Sequence, residues 1–156
     1  MISEHLIGWL FSHSEDYEHL PFMERYWLIK PRKWLPFKVG LHYTYKSDPI
    51  PYLHDHPWDW CSILLRGRYV EISKGKDGKN RKKEYGPWSI RFHRAEFSHK
   101  LSLATGLYSE EMVRRGLSPG VWTIFFMGPK RREWGFWIKR KWIQAEEFYS
   151  MKGRRE

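Results

Sequence analysis

Short runs of alternating apolar and polar residues, separated by turn-forming residues, predict a chain built mainly of β-strands. A strand rich in β-branched and aromatic residues with a period of two is typical of a half-buried sheet. Because many short strands follow one another without alternating helices, the pattern indicates an all-β sandwich or barrel. The runs occupy residues 37–45, 58–65, 68–73, 88–93, 97–103, 121–127 and 134–138.

The turns of the first half predict how its strands connect. Residues 58–65 and 68–73 flank Arg66-Gly67, and this arrangement predicts that the two strands pair as a hairpin. The following segment, 74–83, is polar and rich in turn-forming residues, so we expect it to form a hairpin tip.

The second half contains the strongest strand signal, at residues 121–127, which Gly128-Pro129 ends. We expect the run 134–138 to return as the partner of this strand. The segment 105–120 is polar and contains several glycines, so it predicts an excursion between strands. Residues 144–151 predict a short C-terminal helix.

Length and composition favour one domain with a sizeable core. The chain has 156 residues, of which 18% are aromatic and ten are tryptophan, and this content excludes a disordered chain. We describe residues 1–156 as a single domain with an irregular or partly helical arm at 1–36, a barrel at 37–138 and a basic tail at 139–156. The single cysteine, Cys61, excludes an intrachain disulfide framework and a multi-cysteine zinc site.

Targeting signals and charge indicate where the protein is located and what kind of partner it binds. The sequence has no apolar run of membrane-spanning length and no secretory signal at its start, so we expect a cytoplasmic protein without membrane contact. The formal net charge is +10, and residues 79–156 hold the whole excess: they carry 18 basic and eight acidic side chains, against ten and ten in residues 1–78. This asymmetry suggests a positive face for nucleic acid, a nucleotide or another anion, although a solvated surface is the simpler interpretation.

The clearest candidate for metal chemistry is the segment His54-Asp55-His56. Residues i and i+2 of a strand point to the same face, so the two imidazoles would project together. A pair of surface histidines in a loop is the alternative. The third imidazole is either His99 or His93. Three neutral imidazoles with open positions for water or substrate suit Fe²⁺, Zn²⁺, Ni²⁺ or Mn²⁺.

Other side chains on the predicted strands could line a pocket inside the barrel. A buried guanidinium needs an anionic partner, so we expect Arg91 to bind a substrate carboxylate or phosphate. Arg91 and Tyr69 are the candidate catalytic residues, whereas Trp122 is interpreted as core. Cys61 is placed on the inward face together with Asp59 and is expected to pack. Asp59 either orients an imidazole or makes a hairpin hydrogen bond.

The motifs resemble those of the cupin superfamily, in particular short cupin-like proteins of bacteria and phages. The first cupin motif is a glycine followed by an HxH pair, and here Gly40 leads to His54 and His56 over a longer loop. The second motif ends in a single histidine and matches residues 86–99, which makes His99 the distal ligand. The resemblance covers roughly residues 37–138 and implies a double-stranded β-helix, or jelly roll. It also implies one divalent ion at His54, His56 and His99, with Fe²⁺ favoured.

The sequence departs from the cupin pattern in two places. Many cupins add a glutamate shortly after the HxH pair, where this chain has Trp60 and Cys61. Either three histidines suffice, or Glu71 or His93 completes the site, although an exposed hairpin charge is the simpler interpretation of Glu71. The proline–glycine pair before the distal histidine is also missing, and Glu96 stands in place of that glycine.

The resemblance implies a dioxygenase-like metal enzyme that acts on a small anionic molecule held by Arg91. A non-catalytic module for a nucleotide, sugar or nucleic acid is the alternative, and nucleic-acid binding would depend on Arg131, Arg132 and Lys139. A metal-dependent sugar isomerase or epimerase is a third reading. Aromatic residues of the arm would pack either across a homodimer or on the chain's own barrel: Trp9, Phe11, Tyr26, Trp27 and Trp34.

Overall fold

The structure is a computed structural model that describes residues 4–12, 16–20, 22–103, 110–115 and 120–153. These ranges contain the helices α1 (Glu4–Ser12), α2 (Glu110–Arg114) and α3 (Ala145–Gly153). They also contain the strands β1 (Asp16–Leu20), β2 (Met23–Ile29), β3 (Lys38–Thr44), β4 (Leu53–His54), β5 (Trp60–Arg66), β6 (Tyr69–Lys74), β7 (Asn80–Tyr85), β8 (Ile90–His93), β9 (His99–Ser102), β10 (Val121–Met127), β11 (Gly135–Ile138) and β12 (Lys141–Gln144).

The strands form two antiparallel sheets of six strands each. The first sheet has the order β1-β2-β3-β10-β5-β8, and the second has the order β12-β11-β4-β9-β6-β7. Their inner faces meet in a buried cluster formed by Leu64 and Val121 of the first sheet with Tyr69 and Leu103, which lie on or next to the second. The predicted all-β architecture and the short C-terminal helix are thus confirmed.

A second buried cluster lies on the outer face of the first sheet. Leu10 of α1 packs there against Tyr26, Leu41 and Leu65. Ile7 and Leu10 are spaced three residues apart, so one face of α1 is apolar and is buried by this contact. Trp122 packs against the same cluster, in agreement with its interpretation as core.

The connection at Gly67 is not the predicted hairpin. β5 pairs with β10 and β8 in the first sheet, whereas β6 pairs with β7 and β9 in the second, so residues 66–68 lead the chain from one sheet to the other. Gly67 has a φ of 95°, which disfavours any side chain. A Cβ there would also lie 2.5 Å from the carbonyl oxygen of Gly120. The glycine therefore permits a tight corner, not a two-residue hairpin turn.

Three other connections differ from expectation. The hairpin tip is shorter than 74–83, because β7 begins at Asn80 and pairs with β6. β11 pairs with β4 and β12 and does not return against β10, whose two sides are occupied by β3 and β5. Strands β1 and β2 extend the first sheet into the predicted arm, since β2 pairs with β3.

Parts of the arm and tail carry further predictions. Tyr26 is buried in the chain's own core, whereas Trp9 and Trp34 are exposed, and the homodimer stays a prediction. The predicted excursion at 105–120 contains α2, but residues 104–109 and 116–119 lie outside the described residues, as do Arg154 and Arg155. In the described ranges, no helix is long and apolar enough to cross a membrane.

Candidate metal centre

The three histidines selected from the sequence lie together on the second sheet. His54 of β4 is the cross-strand partner of His99 of β9, and His56 follows His54 by two residues. One ring nitrogen from each of the three histidines lies within 4.8 Å of the others. The Nε2 atoms of His56 and His99 are 2.9 Å apart. Strand pairing and the period of two therefore bring three imidazoles to one point.

The residue between the two histidines, Asp55, anchors this segment to the β11–β12 hairpin. Asp55 is only 1% exposed, and its carboxylate accepts hydrogen bonds from Gly135 N at 2.8 Å, Trp142 Nε1 at 2.8 Å and Arg132 Nη1 at 2.6 Å. Its own backbone N–H donates to the carbonyl of Gly135. A buried carboxylate is stable only with such partners. Asp55 thus holds the histidine pair in place, a role that the sequence analysis missed.

Glu71 contacts the distal histidine, His99, at the ring nitrogen that faces away from the cluster. Its Oε1 accepts hydrogen bonds from His99 Nδ1 at 2.6 Å and from Arg91 Nη1 at 2.8 Å. Arg91 Nη2 also donates to Ser62 Oγ. The interpretation of Glu71 as an exposed hairpin charge was wrong, because Glu71 is 2% exposed and lies on the same inward face of β6 as Tyr69. Since the Nδ1–H of His99 faces Glu71, its Nε2 lone pair points to the histidine cluster.

Burial sets the protonation state of the cluster. It lowers the pKa of both His56 and His99 well below the usual range of a histidine, with repulsion from neighbouring imidazoles as a smaller cause. Burial also raises the pKa of Glu71, an effect that the charge of Arg91 opposes. The two imidazoles are therefore neutral at neutral pH, as metal binding requires.

His93 lies apart from the cluster. It sits on β8 beside Trp60 of β5, and its ring stacks on Phe97 at a centroid distance of 3.6 Å. Its Nε2 is buried without a hydrogen-bond partner among the described residues. Of the two residues considered for completing the site, His93 thus packs beside the cluster, and Glu71 contacts His99 at the nitrogen turned away from it.

The cluster lines a cavity of about 400 Å³ between the sheets. Both candidate catalytic residues, Arg91 and Tyr69, line the same cavity. The Tyr69 hydroxyl is buried without a hydrogen-bond partner within the described ranges, and burial raises the pKa of Tyr69. The guanidinium of Arg91 lies over the rings of Tyr69 and Tyr85, at 4.9 Å from each centroid. Its anionic partner in this structure is Glu71 of the same chain.

The inward face of β5 is the opposite of the one expected. Trp60, not Asp59 and Cys61, points inward: it is 1% exposed and stacks on His99 at 5.1 Å. Asp59 accepts hydrogen bonds from the backbone of Ala95 and from Arg131, so it supports a loop and not an imidazole. Cys61 is half-buried.

The basic run at residues 130–132 is tied to the same region. Arg131 pairs with Asp59 and Arg132 with the buried Asp55, so two of the three residues named for nucleic-acid binding have carboxylate partners in the chain. Lys139 lies at the β11–β12 turn with a φ of 45°. Binding of nucleic acid stays a prediction.

The fold was compared with known proteins. No family model matches the sequence, and neither does any curated protein. Similar solved structures include a variant of oxalate decarboxylase OxdC from Bacillus subtilis, with a TM-score of 0.56 and 11% identity over 90% of this chain and 32% of that chain. Hydroxypropylphosphonic acid epoxidase from S. wedmorenis has a TM-score of 0.53 and 9% identity over 76% of this chain and 56% of that chain. KdgF from Halomonas sp. has a TM-score of 0.51 and 14% identity over 75% of this chain and 90% of that chain.

The chain spans about a third of the length of the oxalate decarboxylase that it matches. Identities of 9–14% show likeness of fold alone. These structures are cupin-fold proteins, and the histidines of this chain converge inside the same kind of barrel. The protein therefore has the cupin fold.

Proposed function

We propose that the protein is a dioxygenase-like enzyme that holds one divalent metal ion at His54, His56 and His99 and acts on a small anionic molecule. The convergence of the three histidine nitrogens on the wall of a cavity carries this proposal. A site with three protein ligands keeps open positions for substrate, as catalytic sites do and closed structural sites do not.

The donor set fits a divalent transition metal. Two nitrogens that each bind an ion at about 2.1 Å lie about 3.0 Å apart when they subtend a right angle, and about 3.4 Å apart in a tetrahedron. The 2.9 Å separation of the Nε2 atoms of His56 and His99 is short enough for both nitrogens to bind one ion. Three neutral imidazoles with open positions suit Fe²⁺, Mn²⁺, Ni²⁺ or Zn²⁺, and Fe²⁺ is the ion that we propose.

The residues around the histidines have distinct roles in this proposal. Glu71 fixes the tautomer and the orientation of His99, and Arg91 keeps Glu71 ionised and in place. Tyr69 is protonated at neutral pH, as tyrosines ordinarily are, and lines the cavity, so in this proposal its hydroxyl donates a hydrogen bond to a substrate. When bound, Fe²⁺ supplies open coordination positions and the electrons that O₂ activation needs.

A small anion suits the cavity. Its volume of about 400 Å³ is in the range of sites for small molecules. Arg25 and Arg91 line it beside the histidines, each paired with a carboxylate of the chain. The names of two similar structures also refer to small acids, namely oxalate and hydroxypropylphosphonic acid.

Iron-loaded protein incubated with a mixture of small organic acids in air tests the reaction. We expect mass spectrometry to detect one acid that gains both atoms of O₂, in one product or shared between two, with O₂ uptake that stops when the acid is consumed. The His56→Ala variant, which lacks one ligand, is the matched control and should convert nothing. Conversion of a substrate without O₂ uptake, by protein loaded with any of the four ions, would contradict the oxygenase and favour an isomerase.

A further inference from the structure

A row of polar side chains crosses the first sheet, on the opposite wall of the cavity from the histidine cluster. Arg25 of β2 is the cross-strand partner of His42 of β3, and His42 is the partner of Thr123 of β10. All three residues line the cavity. In a β-sheet, directly paired residues point to the same face, so the three side chains project together. A cation, an imidazole and a hydroxyl thus share one patch.

One edge of the Arg25 guanidinium has no oxygen partner among the described residues. Its Nη1 donates to Glu18 Oε2 at 3.0 Å, whereas Nη2 contacts the thioether of Met23 at 3.8 Å. Its Nε is buried without a hydrogen-bond partner among the described residues. Nε–H and Nη2–H form the fork that binds a carboxylate through two parallel hydrogen bonds. Met23 also lines the cavity, and its flexible side chain is the group that a ligand would displace.

His42, the cross-strand partner of Arg25, carries a second buried polar group without a partner among the described residues. It is 5% exposed, and its Nε2 has no hydrogen-bond partner within the described ranges. Its ring stacks on Phe125 at 5.0 Å and lies against the backbone of Gly40, where a Cβ would come 3.1 Å from Nε2. A buried polar atom without a partner costs stability, and a hydrogen bond donated by Nε2–H of His42 to a carboxylate oxygen of a ligand would recover it.

Arg91 is a poorer candidate than Arg25 for binding an anionic ligand. Its guanidinium is 5% exposed and is neutralised by Glu71, which is 3% exposed. Separating this pair would leave a buried charge without a partner, at a large cost in free energy. Arg25, in contrast, is paired with a carboxylate that is 43% exposed, so water can take over the solvation of Glu18.

We propose that Arg25 and His42 form the subsite that binds the anionic head of the substrate, with the reacting end at the histidine cluster. This inference rests on the proposed function, since it names the substrate class of the same cavity. The ring of Phe125 lies between the two ends, at 5.0 Å from the ring of His42 and 6.4 Å from that of His56. The substrate is thus a small organic acid whose apolar middle packs on Phe125.

Benzoate, which combines a carboxylate with an apolar ring, is the probe, and benzamide is its neutral counterpart of the same shape. Isothermal titration calorimetry of metal-free protein removes any contribution from coordination to an ion. We expect benzoate to bind roughly tenfold more tightly than benzamide, because a charge-assisted hydrogen-bond pair adds about that factor. Equal binding of the two probes, or no binding of benzoate, would overturn the subsite.

Substitutions locate the binding. Arg25→Met should weaken benzoate binding roughly tenfold, Arg25→Lys should restore part of it, and Glu18→Gln should strengthen it by removing the competing carboxylate. Arg68→Met, which removes a positive charge from an exposed pair with Glu84, is the control and should change nothing. Benzoate affinity that is the same in Arg25→Met as in the unaltered protein would overturn the subsite.

The calorimetry separates this inference from the proposed function. If benzoate binding depends on Arg25 but the protein binds no metal, the subsite is supported and the proposed metal enzyme is contradicted. If the histidines bind a metal but benzoate and benzamide bind equally, only the subsite is contradicted.

Discussion

The two sheets are stabilised in different ways. The first sheet has an apolar outer face, where Leu41 and Leu65 are buried beneath Leu10 of α1. The second sheet carries the histidine cluster, and its key contacts are hydrogen bonds and ion pairs to two buried carboxylates, Asp55 and Glu71. Hydrophobic packing tolerates small shifts, whereas an ion pair at 2.6 or 2.8 Å orients its partners strictly.

The difference separates folding from metal binding. Truncation of a side chain that packs against α1 should lower the free energy of unfolding and leave the positions of the histidine nitrogens unchanged. Loss of a contact to Asp55 or Glu71 should weaken the metal site as well as the fold. The predictions below compare how substitutions in the two sheets change metal affinity and the free energy of unfolding.

The largest effect is expected for His56→Ala. One of three metal ligands is lost, so the affinity for Zn²⁺, measured by competition with a chelator, should fall by more than about a hundredfold. His93→Ala removes an imidazole that stacks on Phe97 outside the cluster, and this control should bind Zn²⁺ like the unaltered protein. A weaker site in His93→Ala and an intact one in His56→Ala would contradict the assignment.

Asp55→Ala should be the most destabilising change behind the histidines. It leaves Arg132 without its buried partner and Gly135 N–H and Trp142 Nε1–H without an acceptor, at a cost of about 3–5 kcal/mol in unfolding free energy. Glu133→Ala is the matched control, because it removes the exposed carboxylate that pairs with Lys130 and should cost about 1 kcal/mol or less. Urea denaturation measures both, and equal losses would contradict the anchoring role of Asp55.

Leu41→Ala tests the first sheet. Leu41 is fully buried, so its truncation should lower the unfolding free energy by about 2–5 kcal/mol. The variant should bind Zn²⁺ with unchanged affinity at temperatures where it is folded, because it touches none of the groups behind the histidines. A parallel loss of affinity and stability would show that the two sheets are not independent.

Glu71→Gln should weaken both the metal site and the fold, because it leaves the buried charge of Arg91 without a carboxylate partner. The amide keeps the shape of the carboxylate but accepts more weakly from His99 and carries no charge for Arg91. We expect Zn²⁺ affinity to fall by about 10–100-fold. Glu84→Gln, at the exposed pair with Arg68, is the control. Unchanged affinity in Glu71→Gln would mean that the hydrogen bond does not orient His99.

The sequence predicts the histidines better than their supports. The period of two places His54 and His56 on one face, and the second motif selects His99 over His93. The inward orientation of Glu71 has the same kind of signal, since Tyr69 lies two residues before it on β6. The polar segment 74–83 that follows β6 favours an exposed hairpin instead, which opposes this signal.

Other features have no local signal. The partners of Asp55 lie 77 and 87 residues away in Arg132 and Trp142, so only the folded barrel reveals them. A glycine between two strands is common to a hairpin and to a corner between sheets, and Gly67 forms the corner because β10 already lies beside β5. Pairing of non-adjacent strands is decided by the whole fold and not by the turn.

Metal content tests the central claim most directly. Elemental mass spectrometry of tag-free protein, purified without chelator, should find about one equivalent of iron, manganese, nickel or zinc per chain, as expected for a site of three neutral imidazoles. Less than about a tenth of an equivalent, persisting after Fe²⁺ and Zn²⁺ are added back, would contradict a metal centre at His54, His56 and His99.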